Sequence, residues 1–124
     1  MRLVTAKDAR EIKIPDQVKD QYKMSIDDMK KEIFDFENVE CWPLWPMLPI
    51  KNVMWRHVDF RLPWSAVMIA MVDNDGKREK RVYLIGAYDL KEHGIATTHD
   101  IRDKVEFLQY VTWEEMVEAG WRVD

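Results

Sequence analysis

The chain has 124 residues, of which 47% are hydrophobic and 34% charged, and its formal net charge at pH 7 is −4. That balance excludes a disordered chain, and the longest apolar run outside residues 41–50, from Ala66 to Val72, is far shorter than the ~20 residues of a membrane span. The length predicts a single domain over residues 1–124. The lone Cys41 has no partner for an internal disulfide, and the N-terminus lacks the apolar core of a secretion signal, so we expect a cytoplasmic protein.

The N-terminal third predicts helices. Thr5 is placed to cap a short helix over residues 6–12, which Pro15 would end. A longer amphipathic helix follows, because apolar residues recur at steps of three and four: Val18, Tyr22, Ile26, Met29, Ile33 and Phe36. Ser25 is a second capping residue, so this helix starts near Val18 or restarts at Ser25. Between Asp16 and Glu40 lie eight acidic residues and four lysines, which makes this segment acidic.

Proline falls at every third position from Cys41 to Ile50. Three prolines with φ near −65° favour an extended polyproline II path. Trp42, Trp45 and Leu48 would share one face of it, and every face is apolar. The pattern therefore predicts a buried strap, packed across the core between the N-terminal helix and a sheet.

The middle of the chain predicts strands. Over residues 53–62, alternate positions would point to opposite faces of a strand, which would end at Pro63. The apolar run from Ala66 to Val72 predicts a central strand with both faces covered. It would be joined by a turn over residues 73–76 to a partner strand over residues 81–87.

The C-terminal segments predict short elements. A single helical turn would begin at Asp89 and stop at Gly94, and Thr97 could cap a second helix. Residues 105–111 fit a strand or a helix, and we favour the strand. Thr112 would cap a helix that ends at Gly120, and residues 121–123 would add an edge strand or dock against the sheet. Together these elements predict an α+β fold, in which an N-terminal amphipathic helix and a proline-rich strap pack on an antiparallel sheet of three to five strands, with a short C-terminal helix.

The sequence predicts no metal site and no cofactor. Asp73-Asn74-Asp75-Gly76 resembles a calcium loop only superficially, since Met71 and Val82 stand where ligands are required. Zinc would need Cys41 and three distant histidines to converge. Phosphate-binding glycine loops and the common hydrolase motifs are absent from the sequence, so we assign no catalytic residue.

One pair of residues could still support chemistry. His57 and Asp59 lie two positions apart on the predicted strand, so their side chains would share a face. An aspartate that orients a histidine is half of a general-base arrangement, which Ser65 or Cys41 could complete. The alternative function is therefore an enzyme or small-ligand-binding protein with a pocket beside this pair.

The leading hypothesis is a non-catalytic protein that docks on another protein. The six tryptophans and eight methionines would supply either a bulky core or a sticky surface, between which composition does not decide. The predicted binding residues are Trp42, Trp45, Trp55, His57, Asp59 and Trp64. Size and lack of motifs suggest an accessory or inhibitor protein of a phage or other mobile element.

The sequence also bears on nucleic acid, membranes and a second copy of the chain as partners. The basic segment from Lys77 to Arg81 could grip phosphates, but an acidic chain repels nucleic acid, which we do not expect as a partner. We expect no membrane partner. A homodimer could form through an open sheet edge, at the strand from Val53 or the one from Val105.

Overall fold

A computed structural model describes residues 4–59 and 64–124 of the chain. Over these residues it has six α-helices and five strands in one antiparallel sheet, which confirms the predicted α+β fold. The helices are α1 (Ala6–Glu11), α2 (Asp16–Gln21), α3 (Ile26–Glu37), α4 (Trp55–Val58), α5 (Thr98–Lys104) and α6 (Trp113–Glu118). The strands are β1 (Met47–Asn52), β2 (Ser65–Ile69), β3 (Arg81–Tyr83), β4 (Phe107–Gln109) and β5 (Trp121–Val123).

The strand order in the sheet is β4-β3-β2-β1-β5. The predicted central strand is confirmed in a shorter form: β2 is the middle strand and Ala66, Val67, Met68 and Ile69 are buried, whereas residues 70–72 lie beyond it and Val72 is exposed. The predicted hairpin is confirmed with a shorter second strand: β3 ends at Tyr83, which pairs with Val67 of β2. Residues 121–123 form the edge strand β5, as predicted, and pair with the far half of β1.

The predicted proline strap is wrong. The chain reverses direction over residues 42–46, with a cis peptide bond between Trp45 and Pro46, and residues 47–52 then form β1 inside the sheet. Leu48 and Ile50 are buried on one face of β1, which is the two-residue period of a strand. A polyproline II path would have had a three-residue period.

Pro49 is tolerated inside the sheet because of where its nitrogen faces. Its carbonyl oxygen accepts a hydrogen bond from the Asp124 amide at 3.1 Å, at the end of the β1–β5 pairing. In an antiparallel strand, the nitrogen and the oxygen of one residue face the same neighbour. The missing N–H therefore costs one bond at the end of that pairing and none between β1 and β2.

The predicted strand over residues 53–62 is also wrong where the structure describes it. The chain turns at Val53 and Met54 and then forms the short helix α4. The buried Asn52 side chain causes this turn, because its Oδ1 accepts from the amides of Met54 at 3.0 Å and Trp55 at 3.1 Å. Residues 60–63, the end of the predicted strand, lie outside the described residues.

Local capping signals predicted the helix starts well. Thr5 Oγ1 accepts from the Asp8 amide at 3.0 Å at the start of α1, and Ser25 Oγ accepts from the Asp28 amide at 3.1 Å at the start of α3. The restart at Ser25 is therefore confirmed, with α2 as a separate short helix. Thr97 caps α5 in a full capping box with Asp100.

Residues 105–111 contain the predicted strand in a shorter form, β4, directly after α5. The helical alternative for this segment is wrong, since α5 ends at Lys104 and Val105 is its C-cap. Thr112 caps α6 by accepting from the Glu115 amide at 3.1 Å. Gly120, with φ of 101°, turns the chain from α6 into β5.

The sheet buries apolar side chains on both faces. Helices α1, α3 and α6 pack on one face, where the central side chains are Phe36, Leu48, Ile50, Met68, Val82, Met116 and Trp121. Residues 84–105, including α5, cover the other face, where they bury Val67, Ile69, Tyr83, Ile85, Ile95, Ile101 and Val105. Since both faces are covered, candidate sites lie at the ends and edges of the sheet.

Candidate docking surface

The tryptophans divide into a buried and an exposed group. Four are buried, namely Trp42, Trp55, Trp113 and Trp121. Trp45 is 65% exposed and Trp64 is 40% exposed. Of the four predicted tryptophan anchors, only Trp45 and Trp64 are therefore accessible to a partner.

Trp42 is a core residue. Its Nε1–H donates to the Asp35 carbonyl of α3 at 3.0 Å, and the Arg78 guanidinium carbon lies 5.0 Å from its ring centroid. The ring is thus covered by a helix on one side and by a cation on the other. Trp42 holds the reversal at residues 42–46 against α3 and leaves Trp45 on the outside.

Trp55 is also a core residue. Its ring meets Trp121 edge to face, with the ring centroids 4.9 Å apart. This is a favourable geometry for an aromatic pair. The pair joins α4 to β5, so Trp55 is expected to contribute to stability rather than to binding.

His57 and Asp59 do not share a strand face. His57 lies in the last turn of α4 and Asp59 is the residue that ends this helix. The exposed His57 ring and the hydroxyl of Tyr22, the residue that ends α2, share a hydrogen bond at Nε2. The strand premise for a general-base pair is therefore wrong, because His57 lies in a helix and only Asp59, after its end, has extended backbone.

Trp64 lies at the far end of β1 from Trp45. The Asn52 amide donates to the Trp64 carbonyl at 2.7 Å, which fixes this residue next to the last residue of β1. Trp45 precedes the first residue of the same strand. A six-residue strand is about 20 Å long, so the two exposed tryptophans cannot contribute to one compact patch.

Trp45 borders an apolar groove. The groove has a volume of about 370 Å³ and lies between the start of β1 and the chain around α5. Leu44, itself 44% exposed, stands beside Trp45 at its mouth. The groove is lined by Leu44, Trp45, Pro46, Met47, Leu90, Ala96, Thr97, Thr98 and Ile101. We call this surface the Trp45 groove.

The Trp45 groove has a fixed shape because its two sides are held by different bonds. On one side, the Ala70 amide donates to the Pro46 carbonyl at 2.8 Å, which ties the reversal to the end of β2. On the other side, the Ile95 amide donates to the Leu90 carbonyl at 2.9 Å. The Ala96 amide then donates to the Asp100 carboxylate at 3.0 Å, at the capped start of α5. A groove held in this way needs little reorganisation to bind a partner.

A second apolar cavity, of about 300 Å³, lies where α2, α3 and α6 meet. Its apolar lining includes Met24, Met29, Met54 and Val117. Arg122 closes part of its rim, since its Nη2 donates to the Tyr22 carbonyl at 3.1 Å and its Nη1 to the Val117 carbonyl at 2.6 Å. Burial lowers the pKa of Arg122, and nearby Glu32 partly offsets this.

The sheet edges bear on the predicted homodimer. Val53 belongs to no strand, so an edge there is wrong. At the β5 edge, the Val123 amide donates to the Glu32 carboxylate of α3, so this amide is not available to a further strand. β4 does lie at the opposite edge, where the strand from Val105 was predicted. Self-association through β4 stays a prediction.

Comparisons of the chain with protein-family models, with curated proteins and with solved structures found no match. No helix in the described part of the chain combines the length and the apolar character needed to cross a bilayer. Among residues 4–59 and 64–124, no three His, Cys, Asp or Glu side chains are grouped so that they could hold a metal ion.

Sequence reasoning named Trp45 but missed the rest of its groove. Leu90, Ala96 and Ile101 lie 45 or more positions further along the chain and reach Trp45 only through the fold. The exposure of Trp45 beside the burial of Trp42 follows from the reversal between them, which the proline pattern did not predict.

Proposed function

We propose that this chain is a small non-catalytic protein that docks on another protein through the Trp45 groove. It would act in the cytoplasm, as an accessory or inhibitory factor whose effect comes from binding alone. The observation that carries the proposal is the exposure of Trp45 and Leu44 beside a preformed apolar groove.

The exposed indole has enough area to anchor a complex. A tryptophan side chain buries up to about 250 Å² when it is fully covered. With 65% of Trp45 accessible, a partner would remove on the order of 100 to 150 Å² from water. At about 25 cal/mol per Å² this contributes about 3 kcal/mol, which is the size of an interface hot spot.

The groove also suggests what the partner would present. Its lining includes Met47, Leu90, Ala96 and Ile101, which offer no charge to an inserted group. An apolar side chain of the partner, placed beside the Trp45 ring, would fill it. Methionine at such a surface adapts to different shapes, because its side chain is flexible and polarizable.

Affinity capture from a lysate of the protein's source, followed by measurement of the purified pair, tests the proposal. The baits are the unchanged chain, Trp45→Ala, and Trp64→Ala as the matched control at the other end of β1. Trp45→Ala should weaken the measured affinity at least tenfold, whereas Trp64→Ala should change it less than about threefold.

Two outcomes would contradict this function. A captured protein that binds Trp45→Ala as tightly as the unchanged chain would exclude the groove as the docking surface. Concentration-dependent sedimentation that yields a dimer lost on Trp45→Ala would assign the groove to self-association instead of a different partner.

A further inference from the structure

A second groove lies at the same end of the sheet as the Trp45 groove, beside the turn between β2 and β3, and differs from the first in its chemistry. It has a volume of about 560 Å³ and lies between the turn at residues 72–78, strands β3 and β4, and α5. We call it the hairpin groove. Its charged lining residues are the bases Lys77, Arg78, Lys80, Arg81 and Arg102 and the acids Asp73, Asp75 and Glu79. Five bases against three acids give it a local charge of +2 in a chain whose net charge is −4.

Two of these three acids already have partners within the chain. Asp73 Oδ1 accepts from the amides of Asp75 and Lys77, both at 2.9 Å, and so holds the turn. Glu79 is buried and accepts from the Tyr83 hydroxyl at 2.8 Å. Its other oxygen lies 3.6 Å from Arg81 Nη1. Asp73 therefore serves the turn and Glu79 is already paired with Arg81.

Two arginines of the lining have buried nitrogen atoms without a hydrogen-bond acceptor among the described residues. Each arginine carries five N–H donors. Nε and Nη2 of Arg78 and Nε of Arg81 are shielded from solvent and have no acceptor in the described part of the chain. Aromatic rings compensate in part, because Arg78 lies over Trp42 and Arg81 lies 4.1 Å from the Phe107 centroid. Burial lowers the pKa of Arg78, against the opposing charges of Glu79 and Glu37.

Apolar side chains flank this positive charge. Val72 is 57% exposed and Val111 is 80% exposed, and both line the hairpin groove. The aromatic ring in the lining is that of Tyr110, whose hydroxyl is occupied by the Trp121 Nε1–H at 2.9 Å. Single-stranded nucleic acid is usually bound by rings that are free to stack on bases, whereas exposed valines match apolar side chains of a peptide.

We propose that the hairpin groove binds an acidic segment of a partner protein, whose carboxylates meet Arg78 and Arg102 and whose apolar side chains cover Val72 and Val111. A carboxylate can accept two N–H donors from one guanidinium. The bases of this lining outnumber its acids, which favours an acidic ligand. The site shares no lining residue with the Trp45 groove and does not depend on the function proposed for that groove.

Fluorescence anisotropy with the full chain tests this site. The probe is a fluorescein-labelled nine-residue peptide with four glutamates, three valines and two serines, and with blocked ends. The test variant is Arg78→Gln with Arg102→Gln. The control is Lys30→Gln with Lys31→Gln on α3, which removes the same charge from exposed positions outside the groove.

We expect the test variant to bind the peptide at least tenfold more weakly and the control to stay within twofold of the unchanged chain. Binding should weaken as salt rises, since exposed charges are screened. Trp45→Ala should bind the peptide normally, which separates this site from the docking surface proposed above.

Several results would overturn the proposal. These are the absence of saturable binding by the unchanged chain, an equal loss in the control variant, or tighter binding of a nine-nucleotide single-stranded oligothymidine than of the peptide. If Arg78→Gln prevents folding, Lys77→Gln with Arg102→Gln replaces it, because both residues are exposed. The same tenfold loss is then required.

Discussion

Replacing Asn52 by alanine should destabilise the protein more than its single side chain suggests. Asn52 is fully buried at the end of β1, and its side chain makes three hydrogen bonds to the backbone. Oδ1 accepts from Met54 and Trp55, and Nδ2 donates to the Ala119 carbonyl at 3.0 Å. Alanine would leave two buried amides and one carbonyl without partners.

The magnitude follows from those three groups. Each buried polar group left unsatisfied costs about 1–3 kcal/mol, and water entering the vacated space recovers part of that. We therefore expect a loss of about 3–5 kcal/mol from the free energy of unfolding. This is a large share of the ~5–15 kcal/mol that is typical of a folded protein.

Urea unfolding of the two proteins measures this loss. The midpoint should fall by about 2 M if the slope is about 2 kcal/mol per M, as is usual for small proteins. The control is Asn74→Ala in the exposed turn after β2, which should stay within about 0.5 kcal/mol of the unchanged chain. A loss below about 1 kcal/mol for Asn52→Ala would refute the view that Asn52 fixes α4 to the end of β1.

Three further predictions concern stability. Gly120→Ala should cost at least about 2 kcal/mol in urea unfolding, because φ is 101° and the added Cβ would lie 2.5 Å from Asn52 Oδ1; an unchanged midpoint would contradict this. Thr97→Ala should cost about 1 kcal/mol in the same assay through loss of the α5 cap, and a neutral result would show that the cap is redundant. Burial raises the pKa of Tyr110, with the Trp121 bond acting in the opposite direction. The buried Tyr110 hydroxyl should therefore contribute its full stabilisation below about pH 10, the ordinary tyrosine pKa. This stabilisation should be lost as pH rises through the folded-state pKa. Between about pH 9 and 11, Tyr110→Phe should therefore lose less free energy of unfolding than the unchanged chain.

The fold could be predicted where local chemistry decides it. Thr5, Ser25, Thr97 and Thr112 each cap a helix at the predicted position, because a cap depends on residues only three positions apart. The apolar run at β2 also predicted a strand, because a short continuous apolar segment bounded by turn residues favours a strand covered on both faces.

The segment between the helices and β2 could not be predicted for a physical reason. Its prolines repeat every three residues, yet Leu48, Ile50 and Asn52 follow a two-residue period, and the pairing with β2 favours the latter. Pro49 fits only because its nitrogen faces β5, at the end of the pairing between β1 and β5. That position is set by a strand more than 70 residues later in the chain.

The candidate sites were predictable only in part. An aromatic residue such as Trp45 is recognisable as a possible anchor, but its accessibility depends on the reversal that buries Trp42. The hairpin groove was visible in the sequence as a basic segment. Arg102 joins it from α5 and Val111 from the residues after β4. Residue types indicate the chemistry of a site, and tertiary contacts decide which residues share it.

The unequal placement of the six indoles gives the molecule two optical signals. The edge-to-face pair of Trp55 and Trp121 should couple electronically and give an exciton band in circular dichroism, which vanishes when α4 detaches from β5. A small neutral quencher such as acrylamide would reach chiefly Trp45 and Trp64, at opposite ends of β1. Trp64→Phe would then leave emission quenching as a report on Trp45, so that occupancy of the groove could be followed in real time without a label.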